Sequence, residues 1–333
     1  MTIFFFQRKP LPKKNYSIEV LFSTVRDHLP KTIQYRVVTS RFVNRGGLRK
    51  LGNIVEVLFN PQGDVNHITG DIHYIALFMK KKKTILTIHD LNLLASPSAI
   101  KRTIHRWFWL KIPIWRSQLI TVISETTRSE VLKQAKCPPE KVRVVYNCIS
   151  SDFKPHPKPF NRHLPVLLHI GTKPNKNLRR VIEAVAGISC RLEIIGTPTE
   201  EDLSALQKNN IKFHWSAGLT DQEVIQRYID CDMLVFVSTL EGFGLPIVEA
   251  QAVERPVVTS NVSSMPEIAS EAACLVDPYT ISSIREGIMK VIEDDDYREA
   301  LIEAGRVNRK RFMPETTAVA YAQLYQEVYQ AAQ

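Results

Sequence analysis

Short apolar runs alternate with amphipathic stretches along the whole chain, and this rhythm constrains the fold more than any other feature of the sequence. Six strands are predicted in the first half, at Thr2–Phe6, Gln34–Thr39, Val65–Thr69, Thr84–His89, Leu119–Ile123 and Val142–Tyr146. Four helices are predicted between them, at Asn15–His28, Gly46–Phe59, Ser98–Ile114 and Glu125–Lys136. Strands that alternate with helices are typical of βαβ units, which build parallel sheets covered by helices.

The same rhythm restarts after a proline-rich stretch near the middle of the chain. Residues 151–159 end in three prolines within five positions, and proline interrupts both helices and central strands. Beyond this linker, further strands are predicted at Val166–His169, Arg191–Ile195, Ile211–Phe213, Met233–Val237, Pro256–Ser260 and Ala273–Val276. Helices are predicted at Asn177–Ala186, Glu200–Lys208, Asp221–Asp230, Gly244–Ala252, Ile281–Asp294, Tyr297–Lys310 and Glu315–Tyr329.

This division predicts two Rossmann-like, doubly wound α/β domains that face a central cleft. Their boundaries are 1–154 and 155–312, and the last residues, 313–333, are expected to form a helix that packs back on the first domain. Ligands of open parallel sheets bind at the carboxyl ends of the strands. The binding site is therefore expected where these strand ends meet the cleft.

The cysteines and the hydropathy indicate a cytoplasmic protein. Five cysteines are odd in number, lie far apart and form no C-x-x-C pair, which favours unpaired thiols in a reducing compartment. No apolar run approaches the ~20 residues of a membrane-spanning helix.

The basic residues are concentrated in the first half of the chain. Residues 1–155 contain 26 basic and 10 acidic side chains, a net charge of +16, whereas the rest carries −6. The stretch Lys101–Arg116 interleaves basic with aromatic residues, and Lys80–Lys83, Arg8, Lys9, Lys13 and Lys14 add to its charge. This pattern favours peripheral contact with the anionic inner face of a membrane. Trp107, Trp109 and Trp115 fit a buried core equally well, and no nucleic-acid-binding motif is present, so nucleic acid is not expected as a partner.

The most informative string runs from Ser238 to Ala250, S-T-L-E-G-F-G-L-P-I-V-E-A. It leaves an apolar strand, turns at Gly242 and Gly244, and enters a helix with an early proline, where a missing N–H costs nothing. The amides at the helix start, around Phe243 to Leu245, form an anion-binding site. The carboxylates of Glu241 and Glu249 then lie within reach of a sugar and of ribose hydroxyls.

The E-x7-E element formed by Glu241 and Glu249 resembles the retaining glycosyltransferases of family 4, which have the GT-B fold. Five other segments resemble the same family in the expected order, at Thr87–Leu91, Val122–Glu125, Val144–Asn147, His169–Leu178 and Ser260–Glu267. The resemblance implies transfer of a hexose-type sugar from a UDP- or GDP-sugar to a glycan or lipid-linked acceptor. Lipopolysaccharide, capsule or exopolysaccharide synthesis is the implied process.

The resemblance also assigns the donor contacts of the second domain. Lys176 follows the Gly171 turn and is expected to reach the diphosphate, with Asn177 beside it. Thr172 stands where the family usually has a basic residue, and Lys173 is the candidate to replace that residue. Lys176 and Glu241 are counted with the catalytic residues, and the other positions of both loops with the donor-binding ones.

In the first domain, the resemblance places His89 next to the transferred sugar. Its imidazole or backbone carbonyl is expected to stabilise developing positive charge at the anomeric carbon. Asp90 is expected to orient that ring or to contact the acceptor. His67, near another predicted strand end, is a further acceptor-side candidate.

Neither a metal nor a cofactor is expected. No D-x-D sequence follows a predicted strand in the second half, so Lys176 and the helix amides would neutralise the diphosphate in place of a metal. Retention is expected to proceed on one face of the sugar, with the leaving phosphate oxygen taking the proton of the acceptor. Two alternatives remain open: a sugar-nucleotide epimerase of the same fold, and a non-catalytic protein that binds membranes or nucleic acid.

Overall fold

The computed structural model describes residues 1–9, 17–44, 46–91 and 103–333. The chain forms two compact units, one made of Met1–Cys148 with Pro314–Gln333 and the other of Ile149–Met313. The second unit thus begins a few residues before the predicted boundary at 155, and the last helix belongs to the first unit. Lys13, Lys14, Lys101 and the first residues of the predicted helix Ser98–Ile114 lie outside the described residues.

The first unit contains a sheet of six strands in the order β2-β1-β3-β4-β5-β6. Its strands are β1 Thr2–Gln7, β2 Gln34–Thr39, β3 Val65–Ile68, β4 Thr84–Ile88, β5 Leu119–Val122 and β6 Val142–Val144. Every neighbouring pair is parallel. The sheet confirms the prediction of a parallel α/β fold, with strand ends displaced by one or two residues at most.

The second unit contains a second parallel sheet, in the order β12-β11-β10-β7-β8-β9. Its strands are β7 Val166–Ile170, β8 Arg191–Ile195, β9 Lys212–Ser216, β10 Met233–Phe236, β11 Val257–Ser260 and β12 Cys274–Val276. β9 extends beyond the predicted Ile211–Phe213 because it pairs with β8 over its whole length, from Arg191 opposite Lys212 to Ile195 opposite Ser216.

Twelve helices are described, in chain order, across the two units. They are α1 Ser17–Asp27, α2 Gly47–Phe59, α3 Ile112–Arg116, α4 Glu125–Ala135, α5 Leu178–Val185, α6 Glu200–Lys208, α7 Asp221–Asp230, α8 Leu245–Ala252, α9 Met265–Ala269, α10 Ile281–Glu293, α11 Asp295–Asn308 and α12 Pro314–Ala331. The short α9 was not predicted, since five residues are too few to show a repeating apolar period. Within the described residues, no helix combines the length and apolarity that crossing a membrane requires.

Threonine side chains fix the starts of two helices in the second unit. The hydroxyls of Thr199 and Thr220 accept hydrogen bonds from Asp202 N and Glu223 N, and these acids bond back to the threonine amides. Such capping boxes satisfy amides that have no partner inside the helix. They explain why α6 and α7 begin where the sequence predicts.

Three tryptophans occur close together in a helical stretch of the first unit. Arg106–Lys111 forms a π-helical turn that leads directly into α3. Trp109 packs at the edge of the core, with its ring 5.1 Å from that of Tyr74. Trp107 and Trp115 are 51% and 63% exposed. The core interpretation therefore fits Trp109 alone and is wrong for the other two.

Candidate functional site

The second sheet reverses its strand order between β7 and β10. β8 and β9 follow β7 on one side, whereas β11 and β12 follow β10 on the other. In open α/β sheets, ligands bind at the carboxyl ends of the two strands that flank such a switch point. The loops that leave β7 and β10 contain most of the predicted donor-binding residues.

Gly171 begins the loop after β7 with a φ of +89°, a conformation that glycine adopts without strain. A Cβ atom at this position would lie 2.8 Å from Cγ of Lys176, so the lysine stem crosses the turn only because glycine leaves room. Nε2 of His169 lies 3.0 Å from the Gly171 carbonyl oxygen, and Nδ1 lies 3.2 Å from that of Val235. Burial lowers the pKa of His169 to about 4, so a neutral imidazole supports the turn.

The two loops meet in an ion pair between Lys176 and Glu241. Lys176 Nζ lies 2.7 Å from Glu241 Oε1, and the two side chains are 19% and 15% exposed. The ammonium also lies 4.6 Å from the centre of the Phe236 ring, a distance at which the ring face attracts a cation. The structure thus brings together the two residues predicted to act on the phosphate and on the sugar.

Asn175, which the sequence reasoning did not single out, fastens the two loops to each other. Its carbonyl accepts from Thr239 N over 2.8 Å, and its Nδ2 donates to the Leu240 carbonyl over 3.0 Å. These bonds hold the backbone next to both partners of the ion pair. The pair is therefore positioned by the fold before any ligand arrives.

Asn177 supports the loop from inside, and its prediction as a donor contact is corrected. It adopts a left-handed conformation with a φ of +65° and is buried. Its Nδ2 donates to the carbonyls of Val237 and Pro278, and its Oδ1 accepts from Arg180. Because the amide is occupied inside the unit, Asn177 orients the loop instead of reaching a ligand.

Thr172 and Lys173 differ in their exposure to solvent, although they lie in the same loop. Thr172 is partly buried and packs beside Gly196, whose φ is +130°. Lys173 is exposed, and its carbonyl accepts from Lys176 N over 2.8 Å. The backbone of Lys173 thus helps to close the turn that presents Lys176.

Glu249 lies in α8 with its carboxyl group against Tyr228. The tyrosine hydroxyl donates to Oε2 over 2.5 Å. Burial raises the pKa of Glu249 to about 7, although this hydrogen bond and the charge of Lys176 act in the opposite direction. Burial thus favours the protonated form of this carboxyl group. Tyr228 is fully buried at the end of α7 and was missed, since a tyrosine before an apolar strand reads as a core residue.

Serines of the next loop hold the backbone around Glu241. Ser263 Oγ donates to the Glu241 carbonyl over 2.7 Å, and Ser264 Oγ to the Phe243 carbonyl over 2.6 Å. The Phe243 ring is buried 5.7 Å from that of Phe312. The side chain of Phe243 therefore anchors the loop, and its expected contribution to a donor site reduces to its backbone.

The start of α8 offers backbone amides at the same place. Gly244 precedes the helix with a φ of +113°, and proline stands in the first turn. Leu245 and Gly242 are partly exposed. The positive end of a helix dipole lies at its first amides, which favours an anion near Leu245.

In the first unit, His89 follows β4 and is partly buried. Its Nε2 donates to the Thr69 carbonyl over 2.9 Å, so Nδ1 carries the lone pair of the neutral ring. Burial lowers the pKa of His89, while Asp71 and Asp90 act in the opposite direction. Asp90 itself is exposed. A neutral imidazole next to an accessible carboxylate is the arrangement found at this strand end.

His67 is a core residue, and its prediction as an acceptor-side residue is corrected. Its side chain is fully buried. Its ring nitrogens lie 2.7 Å from the hydroxyl of Tyr325 and 2.7 Å from that of Thr87. Burial lowers its pKa to about 3. Both nitrogens are thus occupied by hydroxyl groups, one of them supplied by α12.

A charged cluster that the sequence reasoning missed lies where the first sheet reverses its order, between β1 and β3. Arg8 directly follows β1, and its guanidinium lies 2.6 Å from Asp71 and 2.7 Å from Glu19. Arg8 was treated only as a contributor to basic charge. Its position just after an apolar strand was the available signal. Among the residues described by the structure, no group of three or more His, Cys, Asp or Glu side chains is close enough to hold a metal ion.

Two known families match the chain in succession. Residues 9–153 match Glycosyltransferase Family 4, and residues 151–308 match Glycosyl transferases group 1. Together they cover nearly the whole chain, and their border falls within the predicted linker.

Among curated proteins, the chain is similar to the O-antigen chain mannosyltransferase B of Escherichia coli. The two are 28% identical over 256 residues, which are 69% of this chain and 67% of that protein. It is also similar to the O-antigen chain mannosyltransferase RfbU of Salmonella typhimurium strain LT2, with 26% identity over 216 residues, 62% of this chain and 60% of the relative. The matched regions thus span about two thirds of these relatives or less.

Among solved structures, the Anabaena HepE protein in complex with UDP and glucose has a similar fold. The TM-score is 0.77 at 17% sequence identity, and the match covers 98% of this chain and 100% of the other. At this identity, the likeness concerns the fold.

Proposed function

Because this chain belongs to the glycosyltransferases of the family 4 type and has their GT-B fold, we propose that it transfers a hexose from a UDP- or GDP-sugar to a glycan or lipid-linked acceptor. The convergence of Lys176, Glu241 and Glu249 at the switch point of the second sheet carries this proposal. An ammonium, two carboxylates and a helix start provide the contacts that a sugar linked to a nucleoside diphosphate requires.

In this proposal, each chemical group of the nucleotide sugar has a partner in the protein. The ammonium of Lys176 and the amide of Leu245 neutralise the diphosphate as the leaving group gains charge. Glu241 accepts hydrogen bonds from sugar hydroxyls, and Glu249 accepts them from the ribose. Lys176 then exchanges its present partner, Glu241, for the phosphate.

Transfer proceeds with retention on one face of the sugar. The family resemblance assigns His89, held neutral by burial, to the anomeric carbon, where its ring or its carbonyl would stabilise developing positive charge. The acceptor hydroxyl attacks as the bond between the anomeric carbon and the phosphate oxygen breaks, and that oxygen takes the acceptor's proton. Asp90 orients the acceptor.

The acceptor belongs to cell-surface polysaccharide synthesis in this proposal. Two relatives are named as O-antigen chain mannosyltransferases, which makes mannose the first sugar to test. The HepE structure holds UDP and glucose, so UDP-sugars belong in the same screen. We further place the enzyme in the cytoplasm, at the inner face of a membrane where lipid-linked acceptors are found.

Donor and reaction type can be tested together. The protein is incubated with UDP- and GDP-linked glucose, galactose and mannose, with and without a polyprenyl-linked or oligosaccharide acceptor, and free nucleoside diphosphate and product are followed. Acceptor-dependent release of the diphosphate, with an α-linkage from an α-donor, supports retaining transfer. Interconversion of the donor sugar without an acceptor would support an epimerase. Absence of any nucleotide binding would favour the non-catalytic alternative.

Metal independence has a separate test. Lys176 and the helix start supply positive charge at the diphosphate, so turnover should be unchanged by EDTA. A loss of turnover that manganese or magnesium restores would contradict this part of the proposal and leave the donor specificity standing.

A further inference from the structure

The helix α2 exposes apolar side chains along one side. Leu48 and Phe59, near its two ends, are 86% and 83% exposed, and Leu51, Val55 and Leu58 between them are about half exposed. Spacings of three, four and seven residues put such positions on one helical face. On the other side, Asn53 and Val57 are buried. The helix thus has a second apolar face that the first unit does not cover within its described residues.

The helical stretch 103–116 lies close to the buried side of α2. Asn53 Nδ2 of α2 donates to the hydroxyl of Tyr74 over 3.1 Å. The residue before Tyr74, His73, has Nδ1 3.0 Å from the Trp109 carbonyl. Lys50 Nζ lies 4.1 Å from the centre of the Trp109 ring. These contacts make the two segments neighbours, and we call their exposed apolar residues together the aromatic–basic face: Leu48, Leu51, Val55, Leu58, Phe59, Ile104, Trp107, Phe108 and Trp115.

Basic residues surround the aromatic–basic face. Lys111 Nζ lies 4.7 Å from the centre of the Trp107 ring, and Lys81 Nζ lies 5.2 Å from that of Trp115. Residues 46–83 and 103–116 contain nine basic side chains and three acidic ones.

Each of the three acids has a partner. Glu56 accepts from the backbone of Arg41, Asp64 from that of Thr2, and Asp71 pairs with Arg8. With these acids counted, the two ranges carry a net charge of +6.

We propose that the aromatic–basic face inserts into the headgroup region of a bilayer rich in anionic phospholipid. Monomeric proteins rarely leave so many contiguous apolar side chains in water. Tryptophan suits the boundary between headgroups and acyl chains. An amphipathic helix flanked by lysine and arginine lies in that plane, and each basic residue near the surface adds ~1 kcal/mol of attraction. The inference deepens the proposed membrane location and does not depend on which sugar is transferred.

Insertion and electrostatic attraction respond differently to salt. The Debye length falls from ~10 Å at 0.1 M to ~3 Å at 1 M, so attraction through charge alone disappears. Contacts between Leu48, Leu51 or Trp107 and acyl chains persist, because burial of apolar area does not depend on screening. Binding that survives high salt is therefore the signature of insertion.

The experiment is vesicle co-sedimentation of the whole protein. Vesicles of phosphatidylcholine alone, and of phosphatidylcholine with about one third phosphatidylglycerol, are compared across a salt series from ~0.1 to ~1 M. The test variant replaces Leu48, Leu51 and Leu58 by serine. The matched control is Val307→Ser, which changes an equally exposed apolar residue of the second unit. Unchanged thermal unfolding and unchanged affinity for UDP or GDP show that the variants fold.

The wild-type chain and the control are expected to bind anionic vesicles and to retain part of that binding at high salt. The triple variant should lose the salt-resistant part, with binding roughly tenfold weaker. Brominated acyl chains should quench the fluorescence of the wild-type protein and less that of Trp107→Phe/Trp115→Phe. Equal vesicle binding by the triple variant and the control would overturn the proposal. So would a wild-type dimer that the leucine changes dissociate, since a second copy would then be the occupant.

Discussion

The loops around Lys176 in the second unit and the aromatic–basic face of the first unit use cations and aromatic rings in opposite ways. At Lys176 the ammonium is mostly buried, paired with Glu241 and held over Phe236. On the aromatic–basic face, lysines lie over the exposed rings of Trp107 and Trp115. A pre-positioned ion pair suits a small ligand with fixed charges, whereas exposed rings bordered by lysines suit an extended surface.

The two units also differ in net charge. The first unit carries 25 basic and 11 acidic residues, and the second carries 19 and 23. The first unit thus carries a net charge of +14 and the second a net charge of −4. Variants in each region can therefore separate ligand chemistry from surface association.

The largest effect is expected for Lys176→Ala. A charge-assisted contact with phosphate in a partly dry site contributes ~1.5–3 kcal/mol, so kcat/KM for the nucleotide sugar should fall by roughly ten- to a hundredfold or more. Lys173→Ala is the comparison, because Lys173 is the exposed donor-side candidate of the same loop. Steady-state kinetics at varied donor concentration measure both. Equal losses in the two variants would show that loop charge in general, and not the position of Lys176, determines donor use.

Removal of a tryptophan ring from the first unit should destabilise the fold according to how deeply that ring is buried. Trp109→Ala removes a ring packed against Tyr74 and should lower the free energy of unfolding by about 2 kcal/mol, below the range for a fully buried ring. Trp107→Ala removes an exposed ring and should change it by less than about 0.5 kcal/mol. Denaturant titration measures both. A comparable loss for Trp107→Ala would mean that this ring is covered in solution, which would contradict the proposed insertion of the aromatic–basic face into a bilayer.

Glu241→Gln should change binding and turnover in opposite directions. The Glu241 carboxylate competes with the phosphate for Lys176. The variant, with a neutral side chain of the same shape, should therefore bind UDP or GDP a few-fold more tightly, by ~0.5–1 kcal/mol. Its turnover should fall. Glu254→Gln is the control, since Glu254 forms a comparable 2.8 Å ion pair with Arg306 away from these loops. Calorimetry with the nucleoside diphosphate gives the affinities. A parallel fall in affinity and turnover would argue against exchange of partners.

A smaller effect, dependent on pH, is expected at Glu249. Its pKa of about 7 lies above the ordinary value, so the folded state holds a proton that the unfolded chain releases between about pH 4.5 and 7. Stability should therefore fall as pH rises through this window, by roughly 1–2 kcal/mol given partial exposure. Glu249→Gln should flatten the profile. Tyr228, Lys176 and Asp221 face this carboxyl group, and Tyr228→Phe should shift the window upward. Thermal unfolding from pH 5 to 8 measures the slope, and identical slopes in all three proteins would contradict the assignment.

The strands and helices follow from the sequence because their signals are local. The caps at Thr199 and Thr220 and the apolar period of each strand lie within a few residues of the element they define. The Lys176 and Glu241 loops were also predictable, since glycine turns directly after strands are visible in the sequence. Their assignment as donor contacts came from the family resemblance.

Other features depend on partners far along the chain. His67 reads as an exposed strand-end histidine until Tyr325, 258 residues later, supplies its hydrogen-bond partner. Asn177 lies beside a ligand loop, but its amide is occupied by the carbonyls of Val237 and Pro278. The apolar period of α2 predicts a helix without showing which of its faces is buried. In each case the deciding contact belongs to another element of the fold.

The return of the chain to the first unit has a consequence for synthesis. The first sheet is complete by Val144, yet the Tyr321 and Tyr325 rings that cover Phe5, Phe22 and His67 arrive only with α12. The N-terminal residues leave the ribosome first. This side of the first sheet therefore stays uncovered until the whole second unit has been translated. A chain that stops before Pro314 would expose those aromatic rings to chaperones and proteases. The last helix therefore completes the aromatic core of the first unit only after the second unit has been synthesised.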